Sequence, residues 1–266
     1  MNFKNKLRAF LSHQLSRSPL KNRSIKWKCN LCYEINFSHI LELHREAGNC
    51  KSCNSSVRQR EIVQALEMVS RFQYKTRKLS VIGMSDPKPL ADYLSTFDSI
   101  DYTNTFFDEE PRLDLLNLNP LQVGGSDVVI CSDVLEHVPY PPIASVENLH
   151  KLLKPQGKLI LTVPWFKNIE YVEHYPWLVS YRVERVNQNG MVVTGLDKAG
   201  LEVVIPNPVF HGGPGATLEM RLFTLVELRR LLKVAGFNRI QVLKRDALQF
   251  GIRRDGGNIG TIIASK

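Results

Sequence analysis

Cys29, Cys32, Cys50 and Cys53 form two Cys-x-x-Cys pairs separated by seventeen residues, and this pattern is the most specific chemical signal in the chain. Each pair can fold into a tight knuckle, and two knuckles close a tetrahedron of thiolates around zinc. Such a shell has no open position for water, so the metal would be structural. Another metal or an iron–sulfur cluster is the alternative occupant. His39 and His44 lie between the pairs, but four cysteines already complete the shell. A second group with chemistry follows the apolar run 127–131, where Ser132, Asp133, Glu136 and His137 occupy a polar turn. An imidazole has the right unperturbed pKa for a general base, and a packing role for His137 is the competing reading. His211 stands in a glycine-rich stretch, His211-Gly-Gly-Pro-Gly215, and His174 is a weaker candidate upstream.

The elements that must hold these groups are legible from periodicity. Apolar runs at residues 79–83, 99–103, 127–131 and 158–163 alternate with helical patterns, which predicts parallel strands joined by crossover helices in a doubly wound α/β sheet. A third strand is expected over residues 113–118. Residues 240–243 and 261–264 predict two closing strands, and the Asp255-Gly256-Gly257 turn favours their antiparallel pairing. Residues 165–220 fit the alternation poorly and read as an inserted set of hairpins and loops. Upstream, Ser56 and Gln59 predict a capping box opening a helix, and residues 38–47 predict a short helix between the cysteine pairs. Phe3, Leu7, Phe10, Leu11 and Leu15 recur at helical spacing in a basic arm. The expected organisation is therefore an amphipathic arm and linker over 1–28, a four-cysteine module over 29–55 and one α/β domain over 56–266.

The segment Asp127-Val-Val-Ile-Cys-Ser-Asp-Val-Leu-Glu-His-Val138, followed by the Lys154-Pro-Gln-Gly157 turn and a further strand, resembles the fourth and fifth strands of the class I methyltransferases. The run from Phe223 to Phe237 is similar to the helix and turn before the last hairpin of that fold, and the cysteine module is similar to the zinc knuckle of a subset of these enzymes. The resemblance implies a Rossmann-like, mostly parallel sheet with an antiparallel last strand, S-adenosylmethionine as cofactor, and structural Zn2+. It also implies a cofactor site. Gly83, Ser85 and Asp86 would form the loop after the first strand, Asn104 or Asp108 would meet the ribose, Asp114 the adenine, and Ser132 and Asp133 the far wall. Catalysis would fall to Asp133, His137 and His211, the last where the family often builds its acceptor pocket. The loop departs from the family's GxGxG turn, since only Gly83 is present and Met84 and Ser85 must use an ordinary turn. Asp86 before Pro87 is expected to cap the next helix.

Composition narrows the reading further. The formal net charge is +9, and residues 1–28 hold eight Lys or Arg and no acid, so +8 of it lies in the arm. A basic arm admits a nucleic-acid partner, whereas the neutral remainder and the lack of an Asn-Pro-Pro-Tyr motif after the fourth strand favour O- or N-methylation of a small molecule or glycan. A zinc-module RNA-binding protein, or an RNA methyltransferase with a degenerate cofactor loop, is the alternative. A nicotinamide dehydrogenase is disfavoured by the missing GxGxxG fingerprint. Cys-x-x-Cys usage and the absence of a bilayer-length apolar run point to a cytoplasmic protein.

Overall fold

The structure is a computed structural model and describes residues 23–73, 77–164, 170–186, 190–205, 207–210, 217–254 and 260–266. The amphipathic arm to residue 22, His211 and its glycine loop, and the Asp255–Gly257 turn lie outside these. The described chain divides into two compact units, one drawn from residues 1–79, 86–102 and 242–261 and the other from residues 80–85, 103–241 and 262–266.

The first unit begins with a hairpin, β1 (Ser24–Lys28) and β2 (Ile35–His39), paired antiparallel with Trp27 opposite Asn36. The short helix expected over 38–47 is replaced by the end of β2 and one 3-10 turn, Ile40–Glu42. Its ends are satisfied locally, since the His39 amide donates to the Glu42 carboxylate at 3.1 Å and the Leu41 amide to His39 Nδ1 at 3.3 Å. One turn suffices to bury Ile40 and Leu43, and Gly48 then turns the chain back at φ 59°. Helix α1 (Val57–Gln73) follows. Half of its expected capping box forms, because the Ser56 amide donates to Gln59 Oε1 at 3.1 Å while the Ser56 hydroxyl makes no hydrogen bond.

Arg60 on α1 organises this unit. Its guanidinium, fully buried, donates to the carbonyls of Ser55 (2.5 Å), Gly48 (2.8 Å), Phe250 (2.9 Å) and Gly251 (3.0 Å) and lies 4.2 Å from the Trp27 ring. Gly251 is in the left-handed region at φ 64°, and a Cβ there would come within 2.5 Å of the Trp27 ring. No other residue fits. Arg254 adds a buried ion pair to Glu61 at 2.5 Å, so the segment 242–254 is bound to α1 and the cysteine hairpin although it is distant in sequence.

The second unit carries most of a six-stranded sheet of order β12-β13-β6-β5-β3-β4. Its strands are β3 (Leu79–Met84), β4 (Ile100–Thr105), β5 (Ser126–Ser132), β6 (Leu153–Thr162), β12 (Arg239–Val242) and β13 (Ile262–Ser265). β3 and β6 both pair parallel to β5, whose seven residues are all buried, and β13 pairs antiparallel to β6. Burial on both faces explains why Val128, Val129, Ile130 and Cys131 read as an apolar run without alternation. Helix α2 (Lys88–Ser95) links β3 to β4, α3 (Pro142–Leu152) links β5 to β6, and α4 (Leu225–Val234) precedes β12. The helix after β5 begins only at Pro142, and residues 134–137 form a turn.

The third strand expected over residues 113–118 is not formed among the described residues. Asp114 turns its carboxylate onto the Leu116 amide (2.8 Å) and the Asn117 side chain (3.1 Å), which curls the chain where a strand would extend it. A 3-10 turn, Pro120–Gln122, completes the passage to β5. The inserted segment is β-rich as expected. β8 (Leu178–Val186), β9 (Gly190–Asp197) and β10 (Glu202–Ile205) form an antiparallel meander, and β7 (Val172–Glu173) pairs with β11 (Arg221–Leu222). The meander closes its own core of Tyr175, Leu178, Val193, Ile205, Phe210, Leu218 and Met220.

Candidate functional site

Two arrangements in the chain can do chemistry: the carboxyl edge of the sheet and the cysteine cluster. At the edge, β4, β5 and β6 end in Thr105, Ser132 and Thr162, and Ser85 lies just beyond the end of β3. Gly83 is the last β3 residue in register with β5, opposite Ile130. Thr105, at the end of β4, donates its hydroxyl to the Gly83 carbonyl at 2.7 Å and accepts the Ser85 amide on its own carbonyl at 2.8 Å. Ser85 takes a left-handed backbone at φ 53°. The ordinary turn expected there is therefore overturned, because Thr105 holds a non-glycine residue in a conformation usually left to glycine.

The neighbouring strands repeat the device. Asp133 follows β5 at φ 55°, and its amide donates to the Thr162 carbonyl at 2.9 Å. The Ser132 and Thr162 hydroxyls lie 2.9 Å apart, and Thr162 also donates to Asp133 Oδ1 at 3.2 Å. Gly83, Ser85, Ser132 and Asp133 thus gather on two turns of adjacent parallel strands, the place where doubly wound sheets take ligands. Thr105 and Thr162 belong to the same edge. Thr162 closes an apolar strand and was open to notice in the sequence; Thr105 had no distinguishing signal.

The remaining candidates are placed differently. Asn104 is half-buried within β4, Asp108 is exposed beyond its end, and Asp114 serves its own loop. Asp86 belongs to the other unit and does not cap α2, whose N-cap is Pro87 with no side-chain hydrogen bond. Instead Asp86 accepts from the Tyr102 hydroxyl at 2.8 Å, and burial pushes its carboxyl up to about 7 against the pull of that bond. An acid whose pKa is raised on folding contributes stability at pH below about 4, and this is lost as pH rises through about 7. Asp86→Asn keeps an acceptor for Tyr102 and removes the titration. Its melting temperature should therefore change less than that of the unaltered chain between pH 4 and 7; parallel curves would show that Asp86 titrates normally.

His137 sits on the turn after β5, with Nδ1 2.8 Å from the Leu218 carbonyl. A carbonyl only accepts, so Nδ1 donates to it, and Nε2 lies 3.8 Å from Glu136 Oε1. The turn is clamped by the buried Arg221, which donates to the carbonyls of Leu135 (2.5 Å) and Val138 (2.6 Å) and to Glu173 Oε1 at 2.7 Å. Arg221 lies some eighty residues downstream, and no local pattern marks it. His174 pairs with Glu219 in the inserted segment at 3.5 Å.

In the first unit the four cysteine sulfurs all lie within 4.8 Å of one another, with Cys29 and Cys53 3.7 Å apart and Cys32 and Cys50 3.5 Å apart. The two knuckles repeat each other. The Tyr33 amide bonds the Cys29 carbonyl (3.0 Å) and the Asn54 amide the Cys50 carbonyl (2.9 Å), with both donors left-handed. His39 and His44 take no part in the cluster. Such a donor set can hold a metal ion.

The comparisons with known proteins agree with this architecture. A family model described as a methyltransferase domain matches residues 56–205. Among solved structures, the CurJ carbon methyltransferase is 13% identical over 80% of this chain and 55% of its own, with a TM-score of 0.50. The CMeT domain of the citrinin polyketide synthase is 12% identical over 80% of this chain and 52% of its own, at 0.47. The Burkholderia thailandensis 1,6-didemethyltoxoflavin-N1-methyltransferase is 16% identical over 78% and 77%, at 0.43. This chain therefore spans about half the length of the first two, and at 13% identity the likeness to the CurJ enzyme is one of fold. No curated protein sequence matches it.

Proposed function

We propose that this chain, which belongs to the methyltransferase domain family, binds S-adenosylmethionine at the carboxyl edge of its sheet and methylates an oxygen or nitrogen of a small molecule or glycan. The observation that carries the reading is the pairing of two left-handed turns, Ser85 after β3 and Asp133 after β5, on adjacent parallel strands. Both turn small polar groups and backbone toward one crevice, which suits a ligand with a charged amino-acid end.

When bound, the cofactor supplies an electrophilic methyl group on a sulfonium. The protein's share of the chemistry is positioning and proton management. Gly83, Ser85, Ser132 and Asp133 hold the cofactor, and the clamp of Arg221 on residues 135 and 138 keeps the turn bearing His137 in place. An acceptor hydroxyl loses its proton to His137 Nε2, and the carboxylate of Glu136 beside it favours the imidazolium so formed. His211 is the further candidate on the acceptor side. The four-cysteine cluster holds zinc as a structural staple and takes no part in this step, because four thiolates leave the metal no open position. Among the described residues no helix is long and apolar enough to cross a membrane, in keeping with the cytoplasmic assignment.

Titration of the purified protein with S-adenosylmethionine in a calorimeter tests the reading. One site with Kd below about 1 mM is expected. Absence of heat at millimolar cofactor and at millimolar demethylated product removes it.

A further inference from the structure

The hairpin of the cysteine module has one face that neither the metal cluster nor methyl transfer uses. Side chains alternate across a strand, so Trp27 of β1 and Asn36 of β2 turn inward while their neighbours turn out. The outward set is Ser24, Lys26 and Lys28 on β1, set in register against His39, Phe37 and Ile35 on β2. Lys26 stands directly opposite Phe37, whose ring is 72% exposed. Tyr33, at the left-handed corner of the first knuckle, is 58% exposed, with Lys28 Nζ 5.1 Å from its ring centroid. Large aromatic rings are normally withdrawn from water. Here two of them stand out beside two ammonium groups on a platform braced by the knuckles.

Among the described residues no carboxylate is paired with Lys26 or Lys28. Glu34 is engaged by Lys51 at 3.1 Å, and the Glu42 carboxylate receives the His39 amide. The same strand continues, toward the N-terminus, a sequence with five further basic residues and no acid before residue 23. Aromatic faces interleaved with cations at strand spacing match a polymer that alternates flat π-systems with phosphates. A lipid surface needs the cations but gives an exposed ring no stacking partner, and a folded acidic protein needs neither ring to lie open.

We propose that the outward face of the β1–β2 hairpin, centred on Phe37, Tyr33, Lys26 and Lys28, binds single-stranded nucleic acid, with bases stacked on the two rings and phosphates paired to the lysines. This surface shares no residue with the proposed cofactor site, so its test does not depend on methyl transfer.

Fluorescence anisotropy of the full chain with a short labelled oligouridylate, measured over a range of salt, provides the test. Phe37→Ala should weaken binding about tenfold, because one base loses its stacking partner. Lys26→Gln combined with Lys28→Gln should flatten the log–log salt slope by about 1.4, from two phosphates at about 0.7 each. Both sets change exposed side chains, and unaltered zinc content and melting temperature verify that the module stays folded. The proposal is overturned if the intact chain shows no binding at low salt. It is equally overturned if Phe37→Ala binds as tightly as the parent while only the lysine variant weakens, which marks a generic polyanion contact. Anionic phospholipid vesicles serve as the competing probe: retention on vesicles that depends on Phe37, without oligonucleotide binding, assigns the face to a membrane surface instead. Calorimetric binding of S-adenosylmethionine should be the same for every variant, which keeps failure here distinct from failure of the methyltransferase reading.

Discussion

Cys50→Ser should lower the zinc content from one per chain to zero and unfold the first unit at temperatures where the parent chain is intact. Cys50 lies 3.5 Å from Cys32 in a cluster whose four sulfurs fall within 4.8 Å, so each sulfur can serve as one corner of a single metal shell. A serine hydroxyl stays protonated at neutral pH and is a poor zinc ligand. Structural zinc in small modules carries roughly 10–16 kcal/mol of apparent binding free energy, most of it realised as folding. The loss should not remain local. Arg60 bonds to the carbonyls of Gly48 and Ser55, beside the second knuckle, and to those of Phe250 and Gly251. Release of the knuckle therefore removes partners from a buried guanidinium that also fixes the segment near the C-terminus. Elemental analysis of protein purified without added metal, paired with thermal melts, is the measurement. A parent chain without zinc, or a Cys50→Ser variant that retains one zinc, refutes the structural-zinc reading.

Gly83→Val should weaken S-adenosylmethionine binding by about ten- to a hundredfold, roughly 1–3 kcal/mol of overpacking. Gly83 is buried at the carboxyl end of β3, where its carbonyl accepts the Thr105 hydroxyl at 2.7 Å and its neighbour in β5 is Ile130. Valine suits an extended backbone, so the strand itself should survive the change. Only the space at the mouth of the crevice is lost. Calorimetry of the variant, with zinc content and melting temperature as controls, reads the effect. Equal affinity in parent and variant would move the cofactor away from this turn while leaving the family assignment standing.

Much of this protein was open to reading from the sequence by itself, because the relevant information is local. Two Cys-x-x-Cys pairs need only a few residues each to form knuckles, and the structure brings all four sulfurs together. The centres of β3, β5 and β6, with Val81 and Ile82, residues 128–131 and residues 159–161, are apolar without alternation because both sheet faces are covered, and they stand out against amphipathic helices. Where short polar contacts compete with an extended chain, the same reasoning failed. Asp114 curls residues 113–118, His39 and Glu42 stop a helix after one turn, and Thr105 holds Ser85 left-handed where an ordinary turn was expected. Tertiary structure alone decided the remainder. Arg221 reaches the turn of His137 across some eighty residues, and Arg60 joins the cysteine module to residues 250 and 251, contacts whose partners are fixed by topology. The pairing of Lys26 with Phe37 depends on hairpin register, which a linear reading cannot fix, since a slip of β2 by one residue against β1 would have turned Phe37 inward.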